Sequence, residues 1–197
     1  MLEYLEYLEL LWYNITIYYM LSNKITSADN QQESLKTVGW IVGFTDGEGC
    51  FSVSLIKSST TKSGWQVFPE FVLTQGERSL PALKQVIKFF GCGKIFVNRR
   101  KDNHRENLYR YCVRSVKDLQ EKIIPFFQQY PLQTAKSQDF RSFAKIVNMM
   151  SKQMHFSAEG MNIIASIIQT MNRKKPSRFL ESSETKRQTP TLRRGKI

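Results

Sequence analysis

From Cys50 to Ile56 apolar and polar residues alternate. Phe51, Val53 and Leu55 fall on one side, and Cys50, Ser52, Ser54 and Ile56 on the other. A period of two predicts a strand with one buried face. After the polar turn from Ser58 to Gly64, the alternation resumes over Gln66–Thr74, with Val67, Phe71 and Leu73 opposed to Gln66, Glu70 and Val72. Gln75–Ser79 reads as a turn, and Leu80–Phe90 as a helix that carries Pro81 at its start and stops at Gly91-Cys92-Gly93. Lys94–Val97 is a third predicted strand. A fourth spans Leu108–Val116, where Tyr109, Tyr111 and Val113 alternate with Arg110, Cys112 and Arg114. Helical spacing returns over Val116–Gln129 (around Pro125), Ser137–Lys152 and Ser157–Met171. For the last helix Ser157 precedes Gly160 by three residues, with Glu159 in the first turn, a partial capping signal.

A further helix precedes the first strand. Gly39-Trp40-Ile41-Val42-Gly43-Phe44-Thr45-Asp46-Gly47-Glu48-Gly49 is apolar with a glycine at every fourth position. Residues four apart share a helix face, so Gly39, Gly43 and Gly47 form a bare stripe against which another helix backbone can press. The order is α-β-β-α-β-β-α, with helical sequence continuing behind it. This predicts an α+β fold, four antiparallel strands with helices on one face. The other face carries Ser, Gln, Arg and Cys and is predicted to stay open.

Residues 1–34 stand apart as an extension and linker, polar from Ser22 to Ser34. The segment lacks the Arg-rich, acid-poor make-up of a transit peptide and the basic start of a secretory signal. Residues 35–172 form the expected domain, and 173–197 a basic tail with a disordered composition.

The chain of 197 residues holds 29 Lys+Arg against 17 Asp+Glu, a formal charge of +12. Such an excess points to an extended anionic partner, nucleic acid before membrane. No apolar run reaches the roughly 18–20 residues that cross a bilayer. Cys50, Cys92 and Cys112 are widely spaced and form no Cys-x-x-Cys pair, so free thiols in a reducing compartment are expected and a zinc site is not. With only His104 and His155, histidine-based nucleases and Ser-His-Asp hydrolysis are disfavoured.

Asp46 and Glu48 sit where the helix dipole is already negative, so something positive must join them. A divalent cation meets that need, because hard cations take oxygen ligands, and carboxylate-held metal ions drive phosphodiester hydrolysis. Glu48 is the expected ligand and the Gly47 carbonyl is available beside it. Asp46 either joins them or caps backbone groups of the tight Asp-Gly-Glu-Gly turn. One carboxylate is too few for a two-metal site. Two copies packed on the glycine stripe through Gly39, Gly43 and Phe44 would bring two Glu48 side chains together in a homodimer.

Trp40–Gly49, read as WIVGFTDGEG, resembles the signature of the LAGLIDADG homing endonucleases. The strand that follows is similar too, and the helix-strand order agrees over residues 35–171. The resemblance implies Mg²⁺ held by Glu48 with the Gly47 carbonyl. It implies Gln75 ordering water and Lys136 of Pro131-Leu132-Gln133-Thr134-Ala135-Lys136 as the active-site lysine. A second basic group falls near Arg78, with Ser79 the alternative at that position. It further implies a single-motif homodimer that cuts both strands of a long, pseudo-palindromic DNA site across the minor groove, leaving short 3′ overhangs. Base reading falls to Ser52, Ser54, Gln66, Glu70, Val72, Asn98, Arg110, Cys112 and Arg114, and phosphate contact to Arg99, Arg100 and Lys101 of the hairpin. An intron-borne gene in a mitochondrion or chloroplast follows from the same resemblance. An RNA maturase acting on its own intron RNA and a catalytically silent DNA-binding module remain as alternatives.

Overall fold

The structure, a computed structural model, describes residues 32–61, 63–99 and 107–172. Helix α1 covers 32–48, so the last three residues of the predicted linker are already helical. Its first turns belong to an N-terminal unit, residues 1–41, and everything from Val42 onward to the second unit. Within the second unit, the strands are β1 (Gly49–Lys57), β2 (Trp65–Gly76), β3 (Lys94–Asn98) and β4 (Leu108–Val113), with α2 (Leu80–Phe90) joining the two hairpins. After β4 come α3 (Val116–Asp118), a wide turn over Leu119–Ile123 and α4 (Ile124–Gln129), then α5 (Lys136–Ser151) and α6 (Ala158–Thr170). Among the described residues, no helix is long and apolar enough to cross a membrane.

One antiparallel sheet of 4 strands results, in the order β1-β2-β4-β3. The register opposes Phe51 to Phe71 and Val72 to Cys112. Alternation therefore assigns Phe51, Val53, Val67, Phe71, Leu73, Tyr111 and Val113 to the core face, and all are buried. Aromatic rings knit that face to the helices. Phe51 stacks on Phe71 with centroids 4.9 Å apart. It also meets Phe127 of α4 and both Phe140 and Phe143 of α5 edge-on or tilted, at 5.2–5.4 Å. On the α2 side Phe71 meets Phe90 at 6.4 Å.

Differences from the sequence reading have local causes. β2 runs two residues beyond Thr74, because Gln75 and Gly76 still pair with Tyr109 and Leu108 of β4. β4 ends at Val113 instead of Val116, since Ser115 turns out to cap α3 by accepting from the Asp118 N–H at 3.2 Å. Helix 116–129 is continuous but widens before Pro125, which lacks the N–H that the Glu121 carbonyl would use. Ser157 does cap α6, its Oγ accepting from the Gly160 N–H at 3.0 Å.

The joint between α1 and β1 is the tightest point near the predicted chemistry. A Cβ placed on Gly49 would lie 2.6 Å from both the Thr45 carbonyl oxygen and its Cγ2. By contrast, a Cβ on Gly39, Gly43 or Gly47 would meet nothing within 4 Å. Gly49→Ala is expected to lower stability by about 1–3 kcal/mol, the usual cost of forcing a methyl group into a filled space. Gly47→Ala should leave stability equal or slightly raised, as alanine is the better helix former. Equal melting temperatures for the two variants would show that the joint tolerates a side chain.

Candidate active site

Helix α1 ends on Asp46, Gly47 and Glu48, the point where orphan carbonyls and the negative dipole end accumulate. Two groups 87–90 residues farther along the chain answer that charge. The Lys136 ammonium, in the first turn of α5, donates to the Asp46 carbonyl at 2.7 Å and to the Gly47 carbonyl at 2.8 Å. The loop before α5 supplies the rest. Gln133 N–H donates to Asp46 Oδ2 at 2.8 Å, while the Thr134 N–H and hydroxyl donate to Oδ1 at 3.2 and 2.7 Å. The Thr134 hydroxyl oxygen in turn accepts from the Lys136 N–H at 3.3 Å.

Burial alone would raise the Asp46 carboxyl, but these donors and the nearby Lys136 charge outweigh it and hold the pKa below its usual 3.8. Both Asp46 oxygens are thus committed to the 133–134 segment. The residue caps backbone groups, though of a loop 87–88 residues away instead of its own turn. Glu48 differs. It is exposed, and among the described residues no hydrogen bond or ion pair engages its carboxylate. Of the two acids in this turn, only Glu48 is available to a ligand.

Gln75 and Arg78 follow along β2. The Gly49–Leu73 pair fixes the register, and Gln75 stands two residues beyond it, at the level where α1 ends. Arg78 is exposed on the short turn Glu77–Ser79, farther along the same end of the sheet. Gly39 and Gly43 are exposed, and Phe44 is half-buried.

The open face carries Ser52, Ser54, Gln66, Asn98 and Arg110 at accessible positions, with Arg99 and Arg114 just beyond strand ends. Arg100 and Lys101 lie outside the described residues. Alternation assigns Glu70, Val72 and Cys112 to this face as well, yet they are only 8%, 5% and 3% exposed. Their covering comes from the face itself. Arg110 Nη2 reaches Glu70 Oε1 at 2.8 Å and Arg114 Nε reaches Oε2 at 3.3 Å. Arg110 stands opposite Thr74, so its bridge to Glu70 passes over the intervening Val72–Cys112 pair. Burial and the Glu70 carboxylate push the Cys112 thiol up to about 11. Val72 and Cys112, expected as base contacts, thus lie buried on this face beside the arginines.

Sequence reading missed Gln133, Thr134, Phe68 and Phe96. The last two flank Arg114, whose guanidinium lies 5.2 and 5.0 Å from their ring centroids. The signal for the phenylalanines was present, since 68 and 96 share the parity of the open face. Nothing in the sequence linked residues 133–134 to Asp46.

Residues 41–147 match the family described as LAGLIDADG endonuclease. Probable intron-encoded endonuclease 2 of Neurospora crassa is 30% identical over 149 residues, which cover 75% of this chain and 29% of that protein. DNA endonuclease I-CeuI of Chlamydomonas moewusii is 27% identical over 141 residues, 68% of this chain and 63% of the relative. The chain spans only 25–29% of the length of two Neurospora crassa relatives, probable intron-encoded endonucleases 2 and 3. Among solved structures, the homing endonuclease I-TnaI shares 38% identity at a TM-score of 0.62, covering 70% of this chain and 89% of that one. Meganuclease I-SmaMI, solved bound to uncleaveable DNA, shares 34% at 0.63 over 69% of this chain and 45% of its own. The acids at the helix end, the sheet order and the match across residues 41–147 agree: the chain belongs to the LAGLIDADG endonuclease family and has its α+β fold.

Proposed function

We propose that this chain is a homing endonuclease that makes double-strand breaks in a long, pseudo-palindromic DNA target by Mg²⁺-dependent hydrolysis, working as a pair of identical copies. The observation that carries the proposal is the pairing of an uncommitted Glu48 carboxylate with a lysine-held helix end, one residue apart. A metal would fit there on chemical grounds. Glu48 offers hard oxygen donors, and the Gly47 carbonyl keeps a second lone pair beside its bond to Lys136. Among the described residues, no three His, Cys, Asp or Glu side chains cluster in a single copy. A second copy would double the carboxylates.

When bound, Mg²⁺ would polarise the scissile phosphate and activate a water. The chain's own groups supply the remainder. Lys136 has three N–H donors, two of them spent on Asp46 and Gly47 carbonyls. The third is free to hold a water or a phosphate oxygen as charge develops. Gln75, at the level of the helix end, is suited to orient the attacking water. The open glycine stripe of α1 is the surface a second copy would use, with Gly39, Gly43 and Phe44 in the interface. The +12 charge favours double-stranded DNA as partner. Relatives named as intron-encoded, one in an ND4 intron 1, support an intron-borne gene in an organelle.

Glu48→Gln should lose about 10²–10⁴-fold in cleavage rate, the worth of several kcal/mol of metal-derived stabilisation, while still binding DNA. Cleavage at the parental rate would remove Glu48 from the site. Gly43→Leu should fold normally, since Gly43 is exposed and a Cβ there meets nothing within 4 Å in one copy. It should nevertheless sediment on target DNA as a monomer and fail to cut; a dimeric, active variant would refute the glycine interface. Asp46→Asn tests the other acid. With a native pKa below 3.8, Asp46 stabilises the fold above that pH, and the effect is lost as pH falls through the native value. The variant should melt below the parent at pH 7, with the gap closing under acid; parallel curves at all pH values would deny the carboxylate its anchoring role.

A further inference from the structure

The open sheet face contains a charge arrangement that simple alternation does not explain. Glu70 is nearly buried, and each of its oxygens holds a different arginine. A carboxylate so committed has little left for a base edge. Its two partners are the reverse case, with side chains 41% and 40% exposed. Arg114 binds Glu70 through Nε, which leaves both terminal nitrogens without partners among the described residues. Its guanidinium is also flanked by the rings of Phe68 and Phe96. Arg110 spends one Nη2 N–H on Glu70, and its second Nη2 N–H still pairs with a neighbouring donor, on Nη1 or Nε, as a two-pronged edge without a partner among the described residues.

A flexible arginine on a basic surface ordinarily swings to the nearest phosphate, which carries no sequence information. These two cannot do so without abandoning a nearly buried carboxylate, and an unpaired buried charge is costly. We infer that Glu70 is a positioning residue that holds Arg110 and Arg114 as fixed forks over the sheet, each aimed to read a guanine, instead of a base reader itself. This inference rests on the DNA-binding part of the nuclease reading. The chemistry follows from the free donors, because a guanidinium fork matches guanine O6 and N7 in the major groove. Phe68 and Phe96 restrict Arg114 further and offer apolar surface to a neighbouring thymine methyl.

The test is a selection of cleaved sites from a randomised double-stranded DNA library by the full chain. The wild type should select two guanine positions in each half-site. Arg110→Ala should lose one and Arg114→Ala the other. Glu70→Gln should cleave a broader set, with preference at both positions falling at least about 10-fold. Its binding to random-sequence DNA should tighten and its salt dependence steepen by about 1–2 further phosphate contacts, as the released arginines find the backbone. Arg114→Lys keeps the charge without the fork, so it should lose its guanine while retaining wild-type salt dependence. A Glu70→Gln profile identical to the parent, or a wild-type site without guanine at positions sensitive to the arginine variants, overturns the inference and leaves the nuclease reading standing. A wild type that binds no DNA overturns both.

Discussion

The cationic closure of α1 is the interaction on which the rest of the site depends. A helix that ends on two acidic residues stacks like charge on like charge, since its terminal carbonyls are already partially negative. The Lys136 ammonium on the Asp46 and Gly47 carbonyls offsets that charge. Three donors from Gln133 and Thr134 on the Asp46 carboxylate complete the closure. One result is mechanical: the end of α1, the 133–134 segment and the start of α5 are held in a single cluster. Another is chemical, because the same bonds leave Glu48 as the only uncommitted acid of its turn.

Much of the fold could be read from the chain because its signals are local. Alternation from Cys50 to Leu73 assigns faces correctly, since the period of two is a property of the strand itself. Gly91 and Ser157 mark helix ends through their own backbone and hydroxyl. The Asp46 clasp was not readable, because its partners lie 87–88 residues away and donate mainly backbone N–H groups, which every residue carries. Resemblance singled out Lys136, but not its bonds to the carbonyls of Asp46 and Gly47. The boundaries that moved did so where a side chain competed with the ladder, as Ser115 does after β4.

The open sheet face shows a different kind of limit. Parity tells which side of the sheet a residue occupies and says nothing of how far its side chain travels once there. Arg110 spans the width of another residue pair to reach Glu70, and in doing so converts Val72 and Cys112 from exposed positions into buried ones. A face that reads as a row of independent polar contacts is instead an interlocked layer. Its charges are arranged before any partner arrives, which lowers the ordering cost of binding and restricts the partners that fit.

Both ends of this organisation follow one rule. At the helix end, Asp46 is consumed so that Glu48 stays available; on the sheet, Glu70 is consumed so that the outer nitrogens of Arg110 and Arg114 stay available. In each case a partly or nearly buried carboxylate spends its lone pairs on protein donors and thereby fixes where the exposed chemistry sits. Removing such a carboxylate would free its partners before it removed any contact with a ligand. A rigid scaffold would suit the proposed nuclease, whose anionic substrate would attract every loose cation on its surface. Against a charge of +12, general affinity for nucleic acid is easily obtained. Under the proposed reading, discrimination between sites requires that the few cations above the bases be kept from settling on the phosphates, and Glu70 holds Arg110 and Arg114 through bonds already present in the free protein.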